Sequence, residues 1–433
     1  VPLVAGARLP LAFIVFGLAG LAASAGWMAL EPSLVGLPHL HPRVVALVHL
    51  WLPCFLLSVC VGALYQLMPV VLGAPLSTRV SVLWIHFVMH AFGAVMIVVA
   101  FAHGRFEWVG AGGILVAVGV MILCIAVLRT FLASKRRDAP AWCFPLATGW
   151  LAATVLFGIV LATNRRWPWL PLSAADLLRA HAHLGLAGFF LTLLQGTTFQ
   201  LIPMFTMGSL RRPRFVWAGL SATQAGLLTL TPGLAWDLPI LIRGGALILA
   251  GGVVCSAIAL RATLNSRRRR ILEPGLRAFV LGAGILGLVA IVGVALAFMP
   301  VGHAMARQGI ALYGIMMIPG ALSLAVLGML CKIIPFLVWM RAYGPKVGKQ
   351  PVPLATALAS RALEQSWLIT HLAGLGLLFT ASALASDKIA LSGGIALLVA
   401  TGLFLANVWR VLAHLRPRAI APLPSPEVPA RSL

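Results

Sequence analysis

Stretches of about 20 apolar residues, long enough to cross the hydrocarbon core of a bilayer as a helix, recur along the chain near residues 11 to 30, 44 to 72, 80 to 102, 108 to 128, 143 to 163, 180 to 205, 215 to 233, 238 to 260, 278 to 299, 308 to 338, 366 to 385 and 389 to 409. Lipid offers no partner to exposed backbone N–H and C=O groups, so segments this long and apolar must satisfy those groups within themselves, as α-helices do. The 433 residues are 61% hydrophobic and only 9% charged, which separates the chain from ordinary soluble domains. The expected fold is an all-α polytopic membrane protein of about twelve transmembrane helices. A single integral domain covers residues 1–415, followed by a Pro-rich cytoplasmic tail at 416–433.

A formal net charge of +23 suits a nucleic-acid binder, but the placement of the basic residues points elsewhere. With the N-terminus inside, 23 Lys and Arg fall in cytoplasmic segments and 7 in outer loops, while Arg243 and Lys332 lie within spans. By the positive-inside rule this places both termini on the cytoplasmic face of a plasma (bacterial inner) membrane. The basicity then reads as a topology signal with some attraction to anionic lipid, and no nucleic acid is implied. The first segment lacks a small-residue cleavage site and is read as a true span. Six cysteines (54, 60, 124, 143, 255 and 331) show no C-x-x-C spacing, so neither a disulfide framework nor a zinc knuckle is supported.

An internal repeat organises the spans. GALYQLMP (Gly62 to Pro69) in the second, GTTFQLIP (Gly196 to Pro203) in the sixth and GMLCKIIP (Gly328 to Pro335) in the tenth all obey G-x-x-x-[QK]-[LI]-[MI]-P. The glycines are 134 and 132 residues apart, and each interval holds four spans. The chain therefore reads as three four-helix pseudo-repeats, roughly 11–140, 143–277 and 278–415. The Gly admits a close helix neighbour, and the Pro is expected to end or kink its helix at the cytoplasmic side.

Aligning the copies on these glycines gives His49 and His183 the same place, thirteen residues before Gly62 and Gly196. Ile315 holds that place in the third copy, while His181, fifteen residues before Gly196, corresponds to Tyr313. With both termini inside, the three histidines lie in the outer third of the membrane. Ionisable groups there are costly unless paired or ligating, and a neutral imidazole is a common ligand of metals and haem iron. His49, His181, His183 and Tyr313 are thus the candidate haem-binding residues. His86 and His90, four apart on one face of the third helix, are the candidate metal pair. Arg43, Arg179 and Arg307, at the outer ends of the marked helices, are candidates for haem propionates. His371 reads as structural, near the cytoplasmic end of its span. Trp51, Trp84, Trp167 and Trp169 read as interface or packing residues. No carboxylate is expected inside a span, and Lys332 is expected to snorkel to the cytoplasmic face.

The stretch HLWLPCFLLSVCVGALYQLMP, the twelve spans in three units and the H-x-H pair on a repeat helix resemble subunit I of the haem-copper oxidases and nitric oxide reductases. The chain is also similar to the NnrS-type haem and copper membrane proteins. In the resembled family the H-x-H lies on the tenth helix and its imidazoles serve two different haems. Here it lies one repeat earlier. If the threefold geometry is kept, His49 and His181 face one pore, while His183 faces the next, where Tyr313 approaches. The resemblance implies haem, of b type, possible copper, oxidoreductase activity and a c-type cytochrome or other redox subunit on the outer face. The family's copper ligands on the sixth and seventh helices have no counterpart in RFVWAGLSATQAGLLTL, and the same rotation moves a copper site toward His86 and His90. Without a buried carboxylate no proton-pumping channel is evident. The competing readings are a non-catalytic subunit of a redox complex and a transporter, since repeats and broken helices also mark carriers.

Overall fold

The computed structural model describes residues 8–268, 271–300, 303 and 305–416, so the expected Pro-rich tail after Arg416 lies outside the described residues. Twelve long helices follow one another: α1 (Arg8–Leu30), α2 (Pro42–Leu72), α3 (Val80–Ala102), α4 (Glu107–Ala133), α5 (Ala139–Arg166), α6 (Ala174–Thr206), α7 (Pro213–Ala235), α8 (Pro239–Asn265), α9 (Pro274–Phe298), α10 (Ala306–Ala342), α11 (Arg361–Leu384) and α12 (Asp387–Leu412). No strand occurs among the described residues. Starts follow local chemistry. Proline opens α2, α7, α8 and α9, where its missing N–H costs nothing. Ser173 and Ser360 cap α6 and α11, which lets those helices begin on polar turns ahead of their apolar runs.

Eleven of the helices are long and apolar enough to cross a membrane. The twelfth, α7, is diluted by polar residues whose side chains turn to neighbouring helices. Gln195 donates to Thr223 Oγ1 at 2.9 Å, Trp150 to Gln224 Oε1 at 2.6 Å, and Gln224 to Thr192 Oγ1 at 3.1 Å. The outward faces are apolar: Phe92, Leu228, Ile291 and Ile369 are 62 to 70% exposed. Such a surface suits lipid and would be insoluble in water. The chain is an all-α integral membrane protein.

Packing reproduces the threefold pattern of the sequence. Within each copy the first two helices pack closely on each other, as do the last two: α1 with α2 and α3 with α4, α5 with α6 and α7 with α8, α9 with α10 and α11 with α12. Between copies, α4 packs on α5, α8 on α9, and α12 on α1, so the three units close into a ring. The marked helices α2, α6 and α10 lie within it, and α10 buries 83% of its most apolar window against 22% for α8. Their glycines are contact points. A methyl added at Gly62 would stand 2.7 Å from the Pro10 carbonyl, one at Gly196 would stand 2.5 Å from Cys143 Cβ, and one at Gly328 would strike the Gly275 carbonyl. Each glycine thus seats the second helix of its copy against the first.

The main irregularity of the marked helices sits upstream of the motif instead of at its proline. Each contains a π-helical segment, Leu50–Leu57, Leu184–Leu191 and Met316–Leu322, beginning twelve residues before Gly62, Gly196 and Gly328. Just after each segment a hydroxyl bonds the carbonyl five residues back: Ser58 to Pro53 at 3.0 Å, Thr192 to Ala187 at 3.4 Å, Ser323 to Ile318 at 2.8 Å. These bonds satisfy carbonyls that the wider turn displaces. The motif proline precedes the end of α2 and α6 by three residues, yet α10 runs on from Pro335 to Ala342.

Three further expectations are corrected. Lys332 does reach toward a helix end, but its side chain is only 11% exposed and ends in an ion pair with Glu273 at the start of α9. Glu364, in the first turn of α11, is buried, so one span does carry an interior carboxylate near its end. His371 lies mid-helix, where it donates from Nε2 to the Pro319 carbonyl at 2.8 Å and ties α11 to the π segment of α10. Its structural reading agrees with that bond.

Candidate functional site

His49 and His183 each end the regular turn that precedes a π segment. Their Nδ1 atoms lie 2.8 Å from the carbonyls of Val45 and Arg179, one turn earlier in each case. A carbonyl can only accept, so Nδ1 carries the proton and Nε2 keeps its lone pair. His181 is fixed the same way from a neighbouring helix, its Nδ1 donating to the Thr154 carbonyl of α5 at 3.0 Å. Three imidazoles therefore share the tautomer in which Nε2 carries a lone pair and no proton, held by the kind of carbonyl contact that orients metal-ligating histidines.

The closed ring brings two pairs together. His49 and His181 have ring centroids 6.4 Å apart and planes within 14° of parallel. Two imidazoles sharing one metal through bonds of about 2 Å would have centroids on the order of 6 Å apart. Phe101 of α3 lies against His49 at 5.4 Å. His183 faces Tyr313 of α10, with centroids 5.9 Å apart and the phenol oxygen 3.4 Å from Nε2, where the O–H donates weakly. By the repeat register the third such position would combine Ile315 with Leu47, both apolar.

All four side chains line one cavity of about 1590 Å³ on the histidine side of the bundle, walled largely by aliphatic residues of α2 through α10. This exceeds the roughly 300–1,000 Å³ of most small-ligand pockets. Two glycines shape it. A methyl at Gly158 would come 3.0 Å from His181 Cε1, and one at Gly293 would come 3.2 Å from Tyr313 Cε2. They occupy corresponding places in α5 and α9, flooring the two side chains that correspond in the repeat. Thr154, Gly158 and Gly293 escaped the sequence reading; the two glycines stand 38 and 35 residues before Gly196 and Gly328, so an alignment on the motif glycines does not superpose them.

Of the three arginines expected at this end, two already hold carboxylates. Arg43 pairs with Glu31, and Arg179 pairs with Asp176 and, at 3.3 Å, with Asp237. Arg307 lines the cavity and has no carboxylate partner among the described residues. Glu31, in the loop after α1, accepts the Trp27 indole at 2.9 Å. That bond, aided by Arg43 and opposed by burial, holds its carboxyl below the usual carboxylate range. Burial and the nearby Arg179 lower His39 in the same loop. The lowered Glu31 value stabilises the folded loop at pH above the ordinary 4.5, and the gain is lost as pH falls through the folded value. The expected result is that Trp27→Phe lowers the melting midpoint at pH 6 and that the gap closes on acidification below about pH 4. A gap constant from pH 6 to 3 would show that the carboxylate is not involved.

His86 and His90 lie outside this cavity, fully buried between α1, α2 and α4. His86 Nδ1 bonds Tyr65 at 2.7 Å and His90 Nε2 bonds Ser58 at 2.8 Å, while His86 Nε2 and His90 Nδ1 lack partners. Their centroids are 6.0 Å apart at a steep angle, and Phe13 packs on both. Among the described residues no group of three or more His, Cys, Asp and Glu side chains gathers at metal-binding distance. The repeat gives His90 a counterpart in Gln224, which bonds Thr192 as His90 bonds Ser58. Both side chains clip a third helix to the hydroxyl that follows a π segment.

Neither a protein-family model nor a curated protein matches the chain.

Proposed function

We propose that the protein is a haem-binding electron carrier of the plasma membrane, holding a b-type haem between His49 and His181. The observation that carries the reading is the pair itself: near-parallel imidazoles 6.4 Å apart, each with Nδ1 tied to a carbonyl, in a large apolar cavity. The sequence contains no C-x-x-C-H for covalent attachment, which favours b-type binding. A haem held there would supply one-electron redox chemistry. The chain's part is to present two neutral donors, fix their planes and exclude water.

His49 and His181 would both serve as ligands of the bound group, which favours electron transfer over gas binding there. Binding or reduction of O2 or NO would need a singly ligated iron, and His183, facing Tyr313, is the imidazole available for it. The bias of Lys and Arg puts the histidine side outside and both termini in the cytoplasm. That assigns the donor, a c-type cytochrome or other redox subunit, to the outer face. Copper between His86 and His90 rests on their two unpaired nitrogens, and unchanged copper content in a His86→Ala, His90→Ala variant would remove it.

The test is the spectrum and haem content of the purified full-length chain. The expected result is close to one low-spin haem per chain for the His49–His181 site. A colourless, stably folded protein prepared with ample haem would overturn the proposal.

A further inference from the structure

We infer that the carboxylates of the cavity's ligand are held by Arg165 and Arg166, with Arg307, and not by Arg43 and Arg179. This rests on the haem reading above, since haem carries two propionates. Both residues lie in the last turn of α5 and line the cavity that holds the histidines. Neither they nor Arg307 has a carboxylate partner among the described residues, whereas Arg43 and Arg179 are committed to Glu31, Asp176 and Asp237. A guanidinium already paired has its charge offset and part of its fork engaged, and Arg43 does not line the cavity, whereas Arg165 and Arg166 rest only against the rings of Phe106 and Trp167 and keep their charge for a new carboxylate.

Position supports the assignment. The Arg165 guanidinium sits 3.9 Å over the Phe106 ring, which touches Phe101, which in turn lies against His49. That contact holds the cation at the α3 to α4 corner of the cavity, on the side of the His49 imidazole. Arg307 is in the first turn of α10, six residues and about 9 Å along the helix from Tyr313. The paired arginines then act as fixed struts: Arg43 joins the start of α2 to the end of α1, and Arg179 joins α6 to the loop before α8.

The experiment titrates haem-free full-length protein in nanodiscs with haem and, separately, with haem dimethyl ester, which keeps the iron but lacks the charges. Wild type is expected to prefer the free acid by about tenfold or more. An Arg165→Gln, Arg166→Gln variant should lose most of that preference, Arg307→Gln part of it, and Arg43→Gln none. Midpoint potentials should fall in the first two variants and hold in the third. Full discrimination in the Arg165→Gln, Arg166→Gln variant, or its loss in Arg43→Gln alone, would overturn the assignment. Equal binding of both forms by wild type would also overturn it while leaving the haem reading intact. Binding of neither form would remove both.

Discussion

Alanine at His181 is expected to weaken haem binding by about 100-fold or more, since even a lost supporting contact costs a metal site 10–100-fold. His49→Ala should do the same, and His183→Ala should leave the low-spin signal in place. The contrast is sharp because His181 and His183 are two residues apart on one helix, lie in the same cavity and share the same tautomer. Only His181 has a second imidazole against it. Neither change should unfold the chain. His181→Ala gives up one hydrogen bond to Thr154, worth about 1 kcal/mol, and His49→Ala gives up one bond within its own helix. Haem content, the Soret spectrum and elution profile of the three variants decide the matter. If His181→Ala keeps a low-spin spectrum while His183→Ala loses it, the pairing is wrong. If all three keep full haem, the cavity is not the site.

The pairing of these residues was readable from sequence because it follows from helix geometry. Two positions apart on a helix of 3.6 residues per turn are about 200° apart in azimuth. His181 and His183 must therefore leave α6 on opposite sides, each toward a neighbouring copy, although the two expected pores are one continuous cavity. His49 and Tyr313, which flank α6 in the repeat register, are the residues found there. Equal offsets from three glycines were enough to place them.

Other features left no such trace. The π segments lie in helices apolar on every side, so hydrophobic periodicity carries no record of where the turn widens. Serine or threonine just after each segment was the available signal, and those residues are common throughout membrane helices. The occupancy of the arginines was legible only for Asp176, three residues before Arg179 on the same helix. Arg43 and Glu31 are separated by a loop, and Arg179 reaches Asp237 across a whole helix, so neither pair follows a local spacing. Glu364 looked peripheral because it sits one turn into its span. Contact with α10 buries it there instead.

Gly328→Ala has the largest effect expected on the fold, a loss of about 3 kcal/mol or more, the upper range for forcing extra volume into a packed interior. The added methyl would meet the Gly275 carbonyl and, at 2.9 Å, the Phe279 amide nitrogen. Both are backbone atoms of α9, which no side-chain rotation can clear, so the whole of α10 must move away from its neighbour. Because α10 is the most buried helix of the ring, that shift would spread to α2, α9 and α11. Gly62→Ala meets the Pro10 carbonyl at 2.7 Å together with yielding side chains of Phe13 and Ile14, and should cost somewhat less. Gly196→Ala meets Cys143 Cβ at 2.5 Å, an atom that no rotation moves, with the Pro140 carbonyl at 3.2 Å, and should cost about as much as Gly62→Ala. Gly284→Ala and Gly287→Ala set the opposite sign. Nothing lies within 4 Å of either added methyl, so each should gain up to about 1 kcal/mol from the better helix former. Melting midpoints in one detergent at one protein concentration give the comparison. Equal midpoints for Gly328→Ala and Gly284→Ala would mean that the close seat between the first and second helices of a copy does not hold the ring together.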